Sequence, residues 1–171
     1  GRGKVYGLEL MLKRNPTERL MGWISYTLMK SSRVDHPGEA SRLFDYDQTH
    51  ILTAVVSLVL GRGWEAGVRF RLVSGNPDTP VTGSIYDADS DIYWPIYGAT
   101  NSIRLPLFHQ LDLRIDKKWA FKYLKLAVYI DVQNVYNHKN VEGYSYSYDY
   151  SQKVYLNGLP VLPILGLKLE Y

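Results

Sequence analysis

Alternation with a period of two runs through almost the whole chain. It constrains the fold more than any other feature, because side chains that share a face at every second residue require a pleated strand. In Tyr6 to Leu12 the apolar Tyr6, Leu8, Leu10 and Leu12 alternate with Gly7, Glu9, Met11 and Lys13. After an Asn15-Pro16 turn, Leu20, Ile24, Tyr26 and Leu28 alternate with Trp23, Ser25, Thr27 and Met29. A third segment sets Leu52, Ala54, Val56, Leu58 and Leu60 against Ile51, Thr53, Val55, Ser57 and Val59, then turns through Gly61-Arg62-Gly63. The fourth sets Ala66, Val68, Phe70 and Leu72 against Glu65, Gly67, Arg69 and Arg71. Leu111, Leu113 and Ile115 oppose Gln110, Asp112, Arg114 and Asp116 in the fifth, and Leu124 to Val132 oppose Lys125 to Gln133 in the sixth. Tyr144, Tyr146, Tyr148 and Tyr150 form a one-sided aromatic ladder in the seventh. In the eighth, Leu165, Leu167, Leu169 and Tyr171 oppose Ile164, Gly166, Lys168 and Glu170. No helical period competes, and connected neighbours read as antiparallel hairpins. The pattern predicts one all-β domain over residues 1–171, an antiparallel β-barrel of about eight strands.

Alternation alone does not say which face meets water. A soluble ligand-binding barrel turns its apolar face inward; a transmembrane barrel turns it outward to lipid. Segment lengths near the roughly 9–11 residues of a tilted membrane strand favour the second. So do aromatics near strand ends, as with Trp64, Trp119, Phe121 and Tyr123, where an interfacial belt would sit. The 15 Tyr and 4 Trp suit the same place. The opposite face carries charges of both signs. No stretch approaches the roughly 20 apolar residues of a membrane-spanning helix; Ile51 to Leu60 is the most apolar run and its valines favour a strand. The net charge of +3, from 20 basic and 17 acidic residues, is too balanced, and the basic residues too scattered, to argue for nucleic acid. Cysteine is absent, which excludes disulfides and thiolate metal sites. The opening Gly-Arg-Gly-Lys-Val-Tyr has no apolar region after its charges, so the chain reads as mature or as a fragment.

The last stretch, Leu159-Pro160-Val161-Leu162-Pro163-Ile164-Leu165-Gly166-Leu167-Lys168-Leu169-Glu170-Tyr171, resembles the terminal strand of bacterial outer-membrane proteins, whose C-terminal aromatic signature is read by the barrel-assembly machinery. Gly166, Leu169 and Tyr171 match that membrane-assembly signal, while Ile164 stands where the pattern usually has a polar residue. Three further stretches resemble the C-terminal barrel of TonB-dependent receptors: Ser74-Gly75-Asn76-Pro77 with Thr79-Pro80, then Arg104 to Arg114, then Asp131-Val132-Gln133-Asn134-Val135-Tyr136-Asn137. The resemblance covers nearly the whole chain. It implies the outer membrane of a Gram-negative bacterium and a receptor barrel of about 22 strands. It also implies a plug domain, coupling to TonB, and energised uptake of a scarce ligand of the siderophore, cobalamin or glycan class. The chain would then be the C-terminal third of such a barrel. A self-contained eight-stranded outer-membrane barrel with a structural or adhesive role is the alternative. Orientation sets two rules at odds. Long connections such as Ser31–Asp47 and Gly75–Leu107 should face outward. Counting back eight strands from a periplasmic Tyr171 places them in the periplasm instead, together with the turn Asn134, Val135, Tyr136 and Asn137, which the resemblance also implies to be periplasmic.

Glu65, Arg69, Arg71, Asp112, Arg114, Asp116, Asp131 and Gln133 are the candidate lumen-facing residues. In a large barrel they would face the plug or a passing ligand; otherwise opposite charges would pair with one another to offset desolvation. Asp87, Asp89 and Asp91 alternate as in calcium loops but lack the following glycine and distal glutamate, which favours a solvated acidic loop. His36, His50, His109 and His138 show no metal-ligand spacing, and His50 and His109 begin strands, where a structural hydrogen bond is expected. No catalytic, phosphate-loop or dinucleotide motif occurs. The sequence therefore points to no enzyme, no cofactor and no metal site.

Overall fold

The computed structural model describes all 171 residues, Gly1 to Tyr171, and contains strands but no helix. In chain order the strands are β1 (Arg2–Arg14), β2 (Leu20–Val34), β3 (Arg42–Leu43), β4 (His50–Gly61) and β5 (Trp64–Val73). Then come β6 (Pro77–Asp78), β7 (Val81–Asp87), β8 (Ile92–Tyr97) and β9 (Ile103–Arg104). The remainder are β10 (Phe108–Ala120), β11 (Lys125–Gln133), β12 (Val141–Tyr146), β13 (Lys153–Asn157) and β14 (Leu162–Glu170). Seven long strands form one antiparallel wall in the order β1-β2-β4-β5-β10-β11-β14, with β3 added to β2. Three two-stranded pieces, β6-β9, β7-β8 and β12-β13, stand outside it.

The pairing register turns the sequence alternation into two chemically distinct faces. Leu113 lies between Val68 and Val132, Ile115 between Ala66 and Ile130, and Val128 beside Leu167. On the far side of the wall Ile24 lies between Leu12 and Ala54, and Leu10 lies against Tyr26. A slip of one residue anywhere would mix the faces, so each pairing reinforces the next. The opposite face collects Glu65, Arg69, Asp112, Arg114, Asp116 and Asp131.

Burial is inverted relative to a water-soluble fold. Eight residues are buried; Val73 is the one buried hydrophobic, and most of the others are polar, among them Ser31, Asp47, Asp112 and Asn134. The leucines of the apolar face are open: Leu12 is 75% exposed, Leu165 74% and Leu167 69%. No element packs over them.

The wall is open, with β1 and β14 as unpaired edges, so the eight-stranded closure expected as one alternative is not what the chain forms. One of the eight expected strands also leaves the wall. The tyrosine ladder forms a strand only as far as Tyr146, pairs with β13, and breaks in a turn. There the Ser147 hydroxyl donates to Asp149 (2.6 Å), and Tyr150 takes a left-handed φ of 58°. β14 therefore pairs directly with β11.

That single change inverts the orientation count. Three tight connections lie at the wall end that holds Tyr171: residues 15–19, Arg62-Gly63 and residues 121–124. The Gly61-Arg62-Gly63 turn needs positive φ at all three residues, 90°, 52° and 80°, which the flanking glycines supply without strain. All three long connections, and the Asn134–Asn137 turn with them, lie at the opposite end. The expectation that Asn134, Val135, Tyr136 and Asn137 share an end with Tyr171 is thus corrected.

Candidate functional site

The polar face of β4, β5, β10 and β11 forms a shallow groove of about 250 Å³. It brings together six of the eight candidate residues, Glu65, Arg69, Asp112, Arg114, Asp116 and Asp131. The strands position them by period: Arg69 stands directly opposite Asp112, and Arg114 directly opposite Asp131. Arg69 donates from Nε to Asp112 Oδ2 (2.8 Å), and Asp112 Oδ1 accepts from Gln110 Nε2 (2.7 Å) and the Asn134 amide (3.0 Å). A carboxylate with these donors is stable while buried, where an unpaired one would not be. Arg114 grips Asp116 through two nitrogens, 2.8 and 2.9 Å, approaches Asp131 at 3.9 Å, and lies 3.8 Å above the Tyr129 ring. Lys118 and the Ser57 hydroxyl both donate to Glu65, at 2.6 and 2.7 Å. The charges of the groove are therefore mutually satisfied.

The two remaining candidates lie apart. Arg71 has no carboxylate partner; its guanidinium sits 5.5 Å from the Phe108 ring, at the long-connection end. Gln133 ends β11 opposite Leu162. Gly166 serves a packing need, since a Cβ there would overlap the ring of Tyr129, its cross-strand neighbour. Leu169 lies on the apolar face beside Leu126, and Tyr171 is fully exposed just past β14.

Asn134 at the head of the long third connection is buried, takes a left-handed φ of 52°, and spends its side chain on the chain around it. Its amide nitrogen donates to the His138 carbonyl (2.9 Å) and the Leu159 carbonyl (3.2 Å), and its Oδ1 accepts from the His138 amide (2.9 Å). Asparagine tolerates that backbone better than most residues. Asn137 Oδ1 accepts from the Val161 amide at 3.0 Å. The motif is thus a clamp between the start and the end of one connection.

A second clamp holds the other two long connections, and sequence reading missed it. Asp47, fully buried, accepts from the Ser31 amide and from Arg104, whose guanidinium also reaches the Asp47 carbonyl (2.5 Å) and the Thr49 hydroxyl (2.9 Å). Burial pushes the Asp47 carboxyl upward, but the Ser31 amide and Arg104 outweigh it and hold the group below the usual carboxylate range. Asn101 ties the same region to the Leu43 carbonyl and to Asp45, at 2.8 and 2.6 Å. Nothing in periodicity signals such a contact, because its partners lie 16 and 57 residues apart.

The histidines and the acidic loop spend their groups locally. His50 Nδ1 meets the Tyr26 hydroxyl at 2.8 Å and His109 Nδ1 meets the Tyr136 hydroxyl at 2.8 Å. Their amides donate to the Ser74 hydroxyl and to Asn140 Oδ1, the structural bonds expected at strand starts. In the β7-β8 turn, Asp87 accepts from the Asp89 amide and Asp91 from the Tyr86 hydroxyl, at 3.1 and 2.9 Å. No three histidine or carboxylate side chains converge in a metal-ligating arrangement. No family model matches the chain, and no curated protein matches it.

Proposed function

We propose that the chain is a wall segment of a TonB-dependent outer-membrane receptor. It would form part of the barrel and its lumen for energised uptake of a scarce ligand. The observation that carries the membrane part of this reading is the uncovered apolar face. Seven adjacent strands present aliphatic side chains to nothing, while on the other side Asp112 is buried among its donors and the neighbouring charges pair with one another. An apolar surface of that extent is stable in lipid and aggregates in water.

The dimensions fit a bilayer. His109 and Trp119 bracket the apolar face of β10, ten residues apart. At about 3.3 Å per residue the separation is about 33 Å along the strand. A tilt of about 40–45° reduces it to about 24 Å, close to the roughly 25 Å apolar band of membrane barrels. Tyr26 with His50 and Tyr136 with His109 mark one border; Trp64, Trp119 and Tyr171 mark the other. The long connections at the border away from Tyr171 fit the outward-loop rule once Tyr171 is periplasmic.

The unpaired edges of β1 and β14 favour a larger barrel over a small one. Lipid cannot satisfy open backbone groups, so additional strands must pair there. The receptor identity rests on the terminal Gly166, Leu169 and Tyr171 pattern and the receptor-like stretches, with a plug, TonB, the barrel-assembly machinery and the lipid bilayer as partners. On this reading the chain has no catalytic role, and its paired lumen charges contact the plug. The test is refolding of the purified chain from denaturant with and without detergent micelles. Strand-rich circular dichroism should appear only with detergent. A folded, monodisperse chain in plain buffer would refute the membrane reading, and energised uptake by this chain alone would refute its role as a segment.

A further inference from the structure

We infer that the long-connection end carries a binding cleft for a neutral oligosaccharide, which deepens the receptor reading above and rests on it. The cleft is an open groove of about 470 Å³ between β12, the β6-β9 pair and the start of β7. Its lining includes Tyr46, Tyr97, Tyr144, Tyr146 and Tyr150, with Glu142 among the polar groups at its margin. Tyr46 and Tyr97 are 70% and 64% exposed, so their rings are available to a ligand. Tyrosine supplies this kind of flat, rigid, amphipathic contact at low entropic cost.

The cleft has a built frame. The two hairpins outside the wall, β7-β8 and β12-β13, lean on each other: the Ser84 hydroxyl donates to the Asp149 carbonyl (2.6 Å) and the Tyr148 hydroxyl to the Asp91 carbonyl. Tyr93 meets Tyr148 edge-on at 5.5 Å. Of the lining rings, Tyr144 packs on Tyr155 behind it at 5.5 Å and Tyr146 on Tyr150 at 5.9 Å, which restrains their planes.

The charge pattern selects the ligand class. No lysine or arginine lines the cleft and three acids do, so its lining would repel an anionic phosphate, carboxylate or ferric chelate. Of the three acids on the lining, Asp45 is neutralised by Arg42 at 2.8 Å and Asp78 accepts from the Thr79 amide at 2.8 Å. Glu142 makes no ion pair, which leaves one acceptor for a donor on the ligand. Lys153 lies outside the lining, where its ammonium is spent on the Tyr144 ring at 4.2 Å. Aromatic faces with carboxylate acceptors beside them suit sugar rings, whose C–H faces stack while their hydroxyls donate.

The chain, refolded in detergent, is titrated by calorimetry with maltohexaose, cellohexaose and mannohexaose, and separately with spermine and inorganic phosphate. At least one neutral hexasaccharide should bind saturably, and spermine and phosphate should not. Tyr97→Ala and Tyr146→Ala should each weaken binding roughly tenfold, as expected for losing one stacked ring, with the circular dichroism spectrum unchanged. Glu142→Gln, which keeps the shape of the side chain, should weaken it only a few-fold. Absence of saturable binding by all three sugars, binding unaffected by both tyrosine changes, or preferential binding of spermine abolished by Glu142→Gln would overturn the inference. These failures leave the wall reading intact while the chain still needs detergent to fold, whereas folding in plain buffer overturns the wall reading itself.

Discussion

Leu113→Arg separates a lipid-facing wall from a water-facing one. Leu113 lies four residues from His109 and six from Trp119 on the apolar face of β10, flanked across the strands by Val68 and Val132. At about 3.3 Å per residue and a tilt of about 40–45°, its depth is about 10 Å below the His109 border of a band about 24 Å tall, within a few ångströms of the midplane. Arginine at that depth costs about 2–4 kcal/mol, against about 0–1 near an interface. Leu60, at the Trp64 end of β4, supplies the interfacial comparison. Guanidinium unfolding in phospholipid vesicles, followed by tryptophan fluorescence, should therefore show Leu113→Arg losing about 2–4 kcal/mol and Leu60→Arg no more than about 1. If the face met water, both substitutions would fall within about 0.5 kcal/mol of the parent. If it were the core of a soluble barrel, both would be severe. Equal costs at the two positions would refute the depth argument.

Asp112→Ala and Arg69→Ala should both be destabilising in the same assay. The first strands the buried Asn134 amide and two side-chain donors at about 1–3 kcal/mol for an orphaned buried group; the second leaves the buried Asp112 carboxylate without its counter-charge, a loss that the half-exposure of Arg69 screens to about 2–3 kcal/mol. Additive behaviour in the double variant would show that the pair does not interact. Asn134→Ala should be worse than Asn134→Gly by about 1 kcal/mol, because both lose the three side-chain bonds and only alanine also resists the left-handed φ of 52°. Equal destabilisation would place the whole effect in the hydrogen bonds. For Asp47 the folded carboxyl lies below its ordinary 3.8, so its contribution is full above that value and is lost as pH falls through the lower folded one. The Ser31–Asp47–Arg104 clamp should thus open on acidification below about pH 4, read as faster amide exchange at Ser31, and Asp47→Asn should remove that acid dependence.

Where the wall strands run was legible because each carries aliphatic residues at several consecutive alternate positions. Val68-Phe70-Leu72 and Leu165-Leu167-Leu169 leave one geometry that keeps them together, and the registers honour it. The charged face was legible for the same reason, and its period brought Arg69 to Asp112 and Arg114 to Asp131 without any knowledge of the fold. The clamps and the cleft were not. Asp47 and Arg104 are separated by 57 residues, and each sits in a stretch without period. Tyrosines that frame the cleft sit in β8, in β12 and in connecting loops, so only tertiary structure collects them.

The tyrosine ladder is the one place where the same reasoning misassigned an element, and the error carries a general lesson about barrels. A hairpin outside a membrane and a strand within it have the same pleat, so alternation cannot tell them apart. Side-chain chemistry can. Every strand of the wall places at least three aliphatic residues on its apolar face, whereas Tyr144–Tyr150 offers only polar-tipped rings opposite Ser145, Ser147 and Asp149. Its length agrees: β12 and β13 run six and five residues, while the wall strands run from nine to fifteen. At about 3.3 Å per residue, six residues span about 20 Å, or about 14 Å once tilted, which is too short to cross a band of about 25 Å. Removing one strand from the count changes its parity, and parity alone assigns every connection to one side or the other. Aliphatic content and length must therefore decide which alternating segments are counted, before any loop is given an orientation.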